Sequence, residues 1–232
     1  MISIIIPTYN EEEIIAATIA EIKNRDKENC ISEIIVSDGQ STDRTVEIAS
    51  NAGATVITSE KKGRAAQMNF GTSIAKGEIL YFLHADSIPP ENFTNYILNA
   101  IEEKYVCGCF RLVFDYDHWF LRANCWFTRF NVNVVRFGDQ SLFVTKNIFK
   151  KSGGFNEDLL LMEDQEIIHR VKKTGKFTVM NTAVCTSARK YLDNGIYRLQ
   201  FIFYQIWLFY YLGYSQKYLL KLHKKMIRKS KL

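Results

Sequence analysis

The sequence predicts an α/β protein built on a doubly wound, mostly parallel sheet and closed by C-terminal helices. Three observations predict it. Short apolar runs recur at 2–6, 31–37, 54–58 and 79–83, as expected of strands buried on both faces. Segments with helical periodicity separate them, and such alternation predicts right-handed crossovers. The 232 residues are 47% hydrophobic and 24% charged, with 12 Gly and only 3 Pro, which excludes disordered, collagen-like and low-complexity chains. A chain of this length buries roughly 70% of its unfolded surface and needs no disulfide staples.

The elements follow in order. The first run ends at Pro7, and it is a strand rather than a signal peptide because no basic segment precedes a long apolar core. Asn10 reads as a helix N-cap with Glu13 as its capping-box partner. Ile15, Ile19 and Ile22 mark that helix's apolar face. The second strand leads into the turn Asp38-Gly39-Gln40-Ser41. A helix over 42–51 is stopped by Gly53, the third strand follows, and a helix over 64–76 is closed by Gly77 before the fourth strand. Ligands gather at the carboxyl ends of strands in such sheets. The segments to interrogate are therefore Thr8-Tyr9-Asn10-Glu11, Asp38-Gly39 and His84-Ala85-Asp86.

After Asp86 the rhythm changes. Pro90 opens a helix with Phe93, Ile97 and Ile101 on one face. A strand is expected over 107–115, then an aromatic, helical or irregular stretch over 116–137 whose Trp119 and Trp126 read as core. A strand over 141–145, a turn at 152–154 and a helix over 163–173 follow. Residues 199–212 are apolar or aromatic except Gln200 and Gln205. As a helix they rise only ~21 Å, short of the ~30 Å hydrocarbon core of a bilayer. That leaves a helix packed on the body, a homodimer seam, or a helix lying on a membrane surface.

Charge is uneven. Residues 216–232 carry seven bases and no acid, while residues 1–215 hold 23 bases against 25 acids and sum to −2. The body is not a nucleic-acid reader, and the basic tail beside the aromatic run suits anionic lipid. The five cysteines are an odd number without regular spacing, so a fully paired framework is excluded and a reducing cytosol fits. The expected location is cytoplasmic, with peripheral contact to the inner face of the cytoplasmic membrane through 199–231.

Several chemistries are missing. Neither a Gly-x-Gly-x-x-Gly nor a P-loop motif occurs, and there is no Gly-x-Ser-x-Gly elbow. Glu166-Ile-Ile-His169 occurs once where a di-iron site needs two such turns, so it reads as a solvent-facing helix turn. Cys107-Gly-Cys109 lacks the second pair of a zinc ribbon. What remains is acidic: Asp38, Asp86 and Asp139 beside strands, and Glu163-Asp164 opening a helix. Carboxylates converging on one edge suggest Mg²⁺ or Mn²⁺ with a phosphate ligand. A metal, or a base such as Arg64, must then reconcile that edge with a diphosphate.

Pro7-Thr-Tyr-Asn-Glu11, Asp38-Gly39-x-Ser41-x-Asp43 and His84-Ala-Asp86 resemble the motifs of family 2 glycosyltransferases, whose fold is the Rossmann-like GT-A fold. Gly63-Arg-Ala-Ala-Gln-Met-Asn69, Gly138-Asp-Gln140, Met162-Glu-Asp164 and Thr186-Ser-Ala-Arg189 extend the resemblance over nearly the whole chain and narrow it to a bacterial glycosyltransferase-like subgroup. The resemblance implies a GT-A catalytic unit over 1–190, with a nucleotide-binding half (1–86) and an acceptor half (87–190), followed by aromatic and basic helices over 191–232. It implies that Pro7, Thr8, Tyr9 and Glu11 frame the nucleotide, that Asp38 accepts from the base, and that Arg64 neutralises the diphosphate. Asp86 would hold Mn²⁺ or Mg²⁺, Asp164 would be the general base with Glu163 beside it, and Asp139, Gln140 and Arg189 would lie near donor sugar or acceptor.

The implied reaction moves a sugar from a nucleotide-diphosphate sugar, with UDP as the expected nucleotide, to a hydroxyl or phosphate acceptor, lipid-linked or glycan. A metal-held diphosphate leaves without a strong general acid. One carboxylate takes the acceptor's proton, a role worth about 10²–10⁴-fold, and a helix N-terminus favours negative charge there. The outcome is inversion. Two other readings stay open: a nucleotidyltransferase forming nucleotide sugars, disfavoured by the acidic Tyr9-Asn-Glu-Glu-Glu13, and a non-catalytic membrane-peripheral binder.

Overall fold

The structure, a computed structural model, describes residues 1–136 and 138–228. Phe137, at the end of the aromatic stretch, and Lys229 and Lys231 of the basic tail lie outside the described residues. An eight-stranded sheet organises the chain in the order β3-β2-β1-β4-β7-β6-β8-β5. The strands are β1 (Ile2–Thr8), β2 (Ile31–Asp38), β3 (Thr55–Thr58), β4 (Ile79–Phe82), β5 (Ser87–Ile88), β6 (Tyr105–Phe114), β7 (Leu142–Thr145) and β8 (Lys176–Thr186). β1 pairs in parallel with β2 and β4, as do β2 with β3 and β6 with β8. β7 runs antiparallel between β4 and β6, and β5 runs antiparallel on the β8 edge.

Strand periodicity divides the core in two. Ile4, Ile6, Val36 and Tyr81 face α1 (Ile15–Arg25) and α4 (Phe93–Glu102). Ile5, Ile35, Leu80 and Phe82 face the opposite layer, built from α3 (Arg64–Ile74), α6 (Lys146–Lys151) and α7 (Glu163–Val171). A side chain on a sheet covered on both sides is buried whichever way it points. The four isoleucines Ile2, Ile4, Ile5 and Ile6 are accordingly all fully buried, each worth about 1.5–3 kcal/mol. α2 (Thr45–Asn51) completes the first layer beside α1.

A third cluster joins the remaining helices: α5 (Trp119–Trp126), α8 (Arg189–Asn194), α9 (Ile196–Tyr211) and α10 (Gln216–Met226). Leu199, Ile202 and Ile206 of α9 pack there with Leu219 of α10 and Leu161. The apolar run at 199–212 is thus a helix packed on the body along one side. No helix among the described residues is long and apolar enough to cross a membrane.

Several expectations need correction. Asn10 is not an N-cap: it adopts a left-handed φ of 53° and α1 starts only at Ile15. The sequence reading lacked β5 and β8. Trp119 and Trp126 are not core, being 61% and 47% exposed. The five cysteines are all free thiols, with Cys107 and Cys109 buried in β6. Glu166 pairs with Arg170 along α7, and His169 meets Asn133.

Candidate active site

The loops after β1 and β2 are locked together by their own motif residues. Thr8 and Asp38 face each other in the parallel register. The Ser41 amide donates to Asp38 Oδ2 at 2.8 Å, and the Thr8 hydroxyl donates to Oδ1 at 3.3 Å. Across the gap, the Asn10 amide donates to Ser41 Oγ and the Thr42 amide donates to Asn10 Oδ1, both at 2.8 Å. The Glu11 amide donates to Thr45 Oγ1 at 2.8 Å. Asn10 therefore gives up the capping role to clamp one motif to the other, and its left-handed backbone is one an asparagine tolerates.

Beneath this clamp, the buried Gln67 amide donates to the Thr8 carbonyl at 2.6 Å and to the Ser37 carbonyl at 2.8 Å. It ties the last residues of β1 and β2 to α3. Gly39 makes room for it, because a Cβ there would sit 2.8 Å from Gln67 Nε2 and 3.2 Å from the Thr8 carbonyl. Pro7 and Thr8 are buried in β1, while Tyr9 and Glu11 are half-buried in the loop beyond.

The acidic residues gather around two arginines. Arg189, at the start of α8, lies 2.7 Å from Glu11 and 3.5 Å from Asp86. The backbone holds Asp86 in place, its carbonyl accepting from the Ser187 amide at 2.9 Å. Arg64, at the start of α3, lies 2.8 Å from Glu163. Burial opposes charge on Arg64, but Glu163, Asp164, Asp139 and Asp86 all act to raise its pKa, and they prevail. Carboxylates from three separate loops therefore share one basic neighbour.

Glu163 and Asp164 are adjacent but not equivalent. The Glu163 side chain is only 1% exposed and faces Arg64 without an aligned hydrogen bond among the described residues. Burial pushes its carboxyl pKa up and Asp164 adds to the shift, while Arg64 opposes it. Asp164 is half-buried and its carboxylate packs on the bare backbone of Gly138; a Cβ there would strike it and would also come 3.0 Å from His84 Cε1. Asp164, His84, Met68 and Phe82 line a cavity of about 10 Å³, room for about one water.

His84 Nδ1 lies 3.0 Å from Asp139 Oδ1. Desolvation opposes ionisation of Asp139, but the hydrogen bond and charge of His84 hold its carboxyl at about 2. Burial likewise pulls His84 down, and the bond to Asp139 outweighs it, so the imidazole titrates above its usual value. Gln140 turns the other way: it is buried, and its amide donates to the Phe110 carbonyl at 3.1 Å. The Gly138-Asp-Gln140 motif thus sends one side chain to the rim and anchors itself with the next.

Sequence reasoning missed several supporting residues. Gln67 and Asn69 lie inside the Gly63–Asn69 motif, which was the available signal. Asn69 accepts from the Phe155 amide and donates to its carbonyl, both at 2.9 Å, fixing the turn that leads to α7. Gln216 Oε1 accepts from the Leu160 and Leu161 amides at 3.2 and 3.1 Å, so the start of α10 braces the same loop. His223 on α10 is pushed down to about 4 by burial and by the positive charges of Arg64, Lys190 and Lys224. Nothing in the sequence linked this helix to the rim.

A divalent cation is the group the resemblance implies. No cluster of three or more His, Cys, Asp or Glu side chains among the described residues is arranged to hold one. Asp86 offers a carboxylate whose charge is met by Arg189 at 3.5 Å. One carboxylate oxygen donor on an acidic rim fits Mg²⁺ or Mn²⁺, which take few protein ligands and complete their shell with phosphate and water.

The family model for glycosyl transferase family 2 matches residues 3–156. A glycosyltransferase of Streptococcus pneumoniae, GlyG, is 31% identical over 123 residues, 50% of this chain and 40% of GlyG. The chain thus spans less than half the length of that relative. Among solved structures, the mannosyltransferase PcManGT of Pyrobaculum calidifontis, in complex with GDP-Man and Mn²⁺, superposes with a TM-score of 0.69 at 18% identity, over 97% of this chain and 68% of that one. TarS of Staphylococcus aureus, in complex with UDP-GlcNAc, superposes with a TM-score of 0.68 at 18% identity, over 80% of this chain and 58% of that one. These likenesses show the GT-A fold.

Proposed function

The chain belongs to glycosyl transferase family 2, and on that premise we propose that it transfers a sugar, with inversion, from a nucleotide-diphosphate donor to a hydroxyl or phosphate acceptor, with Asp164 as the base. The observation that carries the reading is the rim itself, where Arg64 meets Glu163, Arg189 meets Glu11 and Asp86, His84 meets Asp139, and Asp164 packs on Gly138. In the proposed division, residues 1–86 bind the nucleotide and 87–190 receive the acceptor. Asp38 is committed to its turn through Ser41 and Thr8, so it reaches the base through whatever acceptor capacity its carboxylate retains. Nucleotide sugars bound by PcManGT and TarS support a donor of this class, with UDP the first nucleotide to try.

In the proposed step the acceptor oxygen attacks the anomeric carbon and the bond to the diphosphate oxygen breaks. The bonding pair leaves with the nucleoside diphosphate, and the acceptor's proton passes to Asp164. Glu163 is too buried to meet an acceptor; it holds Arg64 towards the rim. Arg64 balances charge on the diphosphate, and Arg189 shifts between Glu11, Asp86 and the donor. Mn²⁺ or Mg²⁺ held by Asp86 would supply Lewis-acid neutralisation of the leaving group. The nucleotidyltransferase alternative loses its support with the family assignment and the acidic first loop.

A thermal-shift panel tests the donor class. UDP, GDP, UDP-GlcNAc and GDP-mannose are each added with and without Mn²⁺. A ligand at 100 times its Kd stabilises the native chain by about 2.7 kcal/mol, so the correct nucleotide raises Tm, and does so more with Mn²⁺. No shift with any of these would count against the donor assignment.

A further inference from the structure

We propose that the face formed by α5 and α9 docks on an anionic lipid bilayer. α9 packs one side into the body through Leu199, Ile202 and Ile206. Its other side exposes Tyr197, Phe201, Tyr204, Leu208 and Tyr211, a helical spacing that forms one continuous stripe. α5 extends the stripe sideways. The Tyr197 ring lies 4.9 Å from Phe120 and 6.3 Å from Trp119, and the Tyr204 hydroxyl donates to Asn124. At the end of α5, Trp126 stacks edge-on with Phe130 at 5.1 Å, and Arg129 lies 4.6 Å over the Trp126 ring. Trp119 and Phe201 are 61% and 60% exposed. Contiguous exposed apolar surface of this extent marks an interaction site.

Charge decides the occupant. Residues 196–228 contain six bases and no acid. α10, which carries most of them, lies along α9: Arg198 donates to the Met226 carbonyl at 2.6 Å and the Phe209 ring meets Tyr218 at 5.9 Å. Two copies meeting through this face would bring like charges together. An anionic surface meets both features at once, since aromatic rings settle at the headgroup level and each nearby Lys or Arg adds attraction to anionic lipid. Tyr211, at the end of the stripe, donates to Gln165 at 3.0 Å, one residue from Asp164. A chain docked by this face keeps the acidic rim beside the lipid surface. The docking itself does not depend on the reaction proposed above.

The test is co-sedimentation of the full chain with vesicles of phosphatidylcholine alone or mixed equally with phosphatidylglycerol. The wild type is expected to partition onto the anionic vesicles, and brominated acyl chains are expected to quench its tryptophan fluorescence. Trp119→Ser with Phe201→Ser should weaken partitioning roughly tenfold or more. Lys221→Glu with Lys225→Glu should weaken it roughly tenfold on anionic vesicles only. Equal partitioning of wild type and the aromatic double variant, or wild-type fluorescence untouched by brominated lipid, overturns the proposal. So does a wild-type dimer in sedimentation velocity that ignores vesicles and is lost in the same double variant. Should that variant misfold, quenching of the wild type decides alone.

Discussion

Gly138→Ala probes the proposed base without touching its chemistry. The added Cβ would strike the Asp164 carboxylate, lie 2.7 Å from Asp164 Cγ, and stand 3.0 Å from His84 Cε1. Overpacking of this kind costs about 1–3 kcal/mol, and each kcal/mol lowers Tm by about 2–4 °C in a chain of this size. The main effect should be kinetic, because displacing a catalytic group by about 1 Å costs on the order of 10²-fold. Nucleotide binding should hold, since Thr8, Asp38 and Gln67 are tied to one another and not to Gly138. The assay is nucleoside diphosphate release, giving kcat and KM, with the thermal shift by UDP or GDP read in parallel. Repeating Gly138→Ala on an Asp164→Ala background should remove most of its stability penalty, because nothing is left to strike at that position except the His84 edge. An unaltered kcat in Gly138→Ala, or the same Tm loss on both backgrounds, would refute the placement of Asp164 as the positioned base.

Other outcomes follow from the same geometry. Asp139→Asn should lower the His84 pKa, read by NMR titration of the imidazole, because burial then acts without its counterweight. The stability that this pair adds should be largest between about pH 4 and 6.5. It fades as pH falls through the Asp139 value of about 2 and as pH rises through the raised His84 value; a difference between wild type and variant that is flat with pH would contradict the pairing. Gln67→Leu removes both hydrogen bonds to the Thr8 and Ser37 carbonyls and should cost about 1–3 kcal/mol in denaturant unfolding, with weaker nucleotide binding by calorimetry. Arg189→Ala leaves Glu11 and Asp86 without their shared cation, so Mn²⁺ should bind more tightly in the absence of donor; unchanged affinity would exclude Asp86 from the metal's ligands.

The first half of the molecule was legible because its strands are buried on both faces. A strand such as β1, with every residue buried, writes itself as an apolar run, and the polar residues after it are then conspicuous. β8 escaped because most of its eleven residues are only partly buried, and its threonines and Asn181 break the apolar pattern. Trp119 and Trp126 misled for the opposite reason: aromatic content signals burial only when something covers it, and sequence cannot say what does. Within the site, residue types indicated an acidic rim, but not which acid is buried. Glu163 and Asp164 are neighbours, and only the packing of α7 against Arg64 and Gly138 separates them. Arg189 and Gln216 come from distant parts of the chain to brace the rim, and no local pattern announces such contacts.

The most direct measurement is turnover by Asp164→Asn, compared with wild type at saturating donor and with donor binding followed in the same samples. The account predicts that turnover falls about 10²–10⁴-fold while the nucleotide-induced rise in Tm is unchanged. Wild-type turnover in the variant would contradict it.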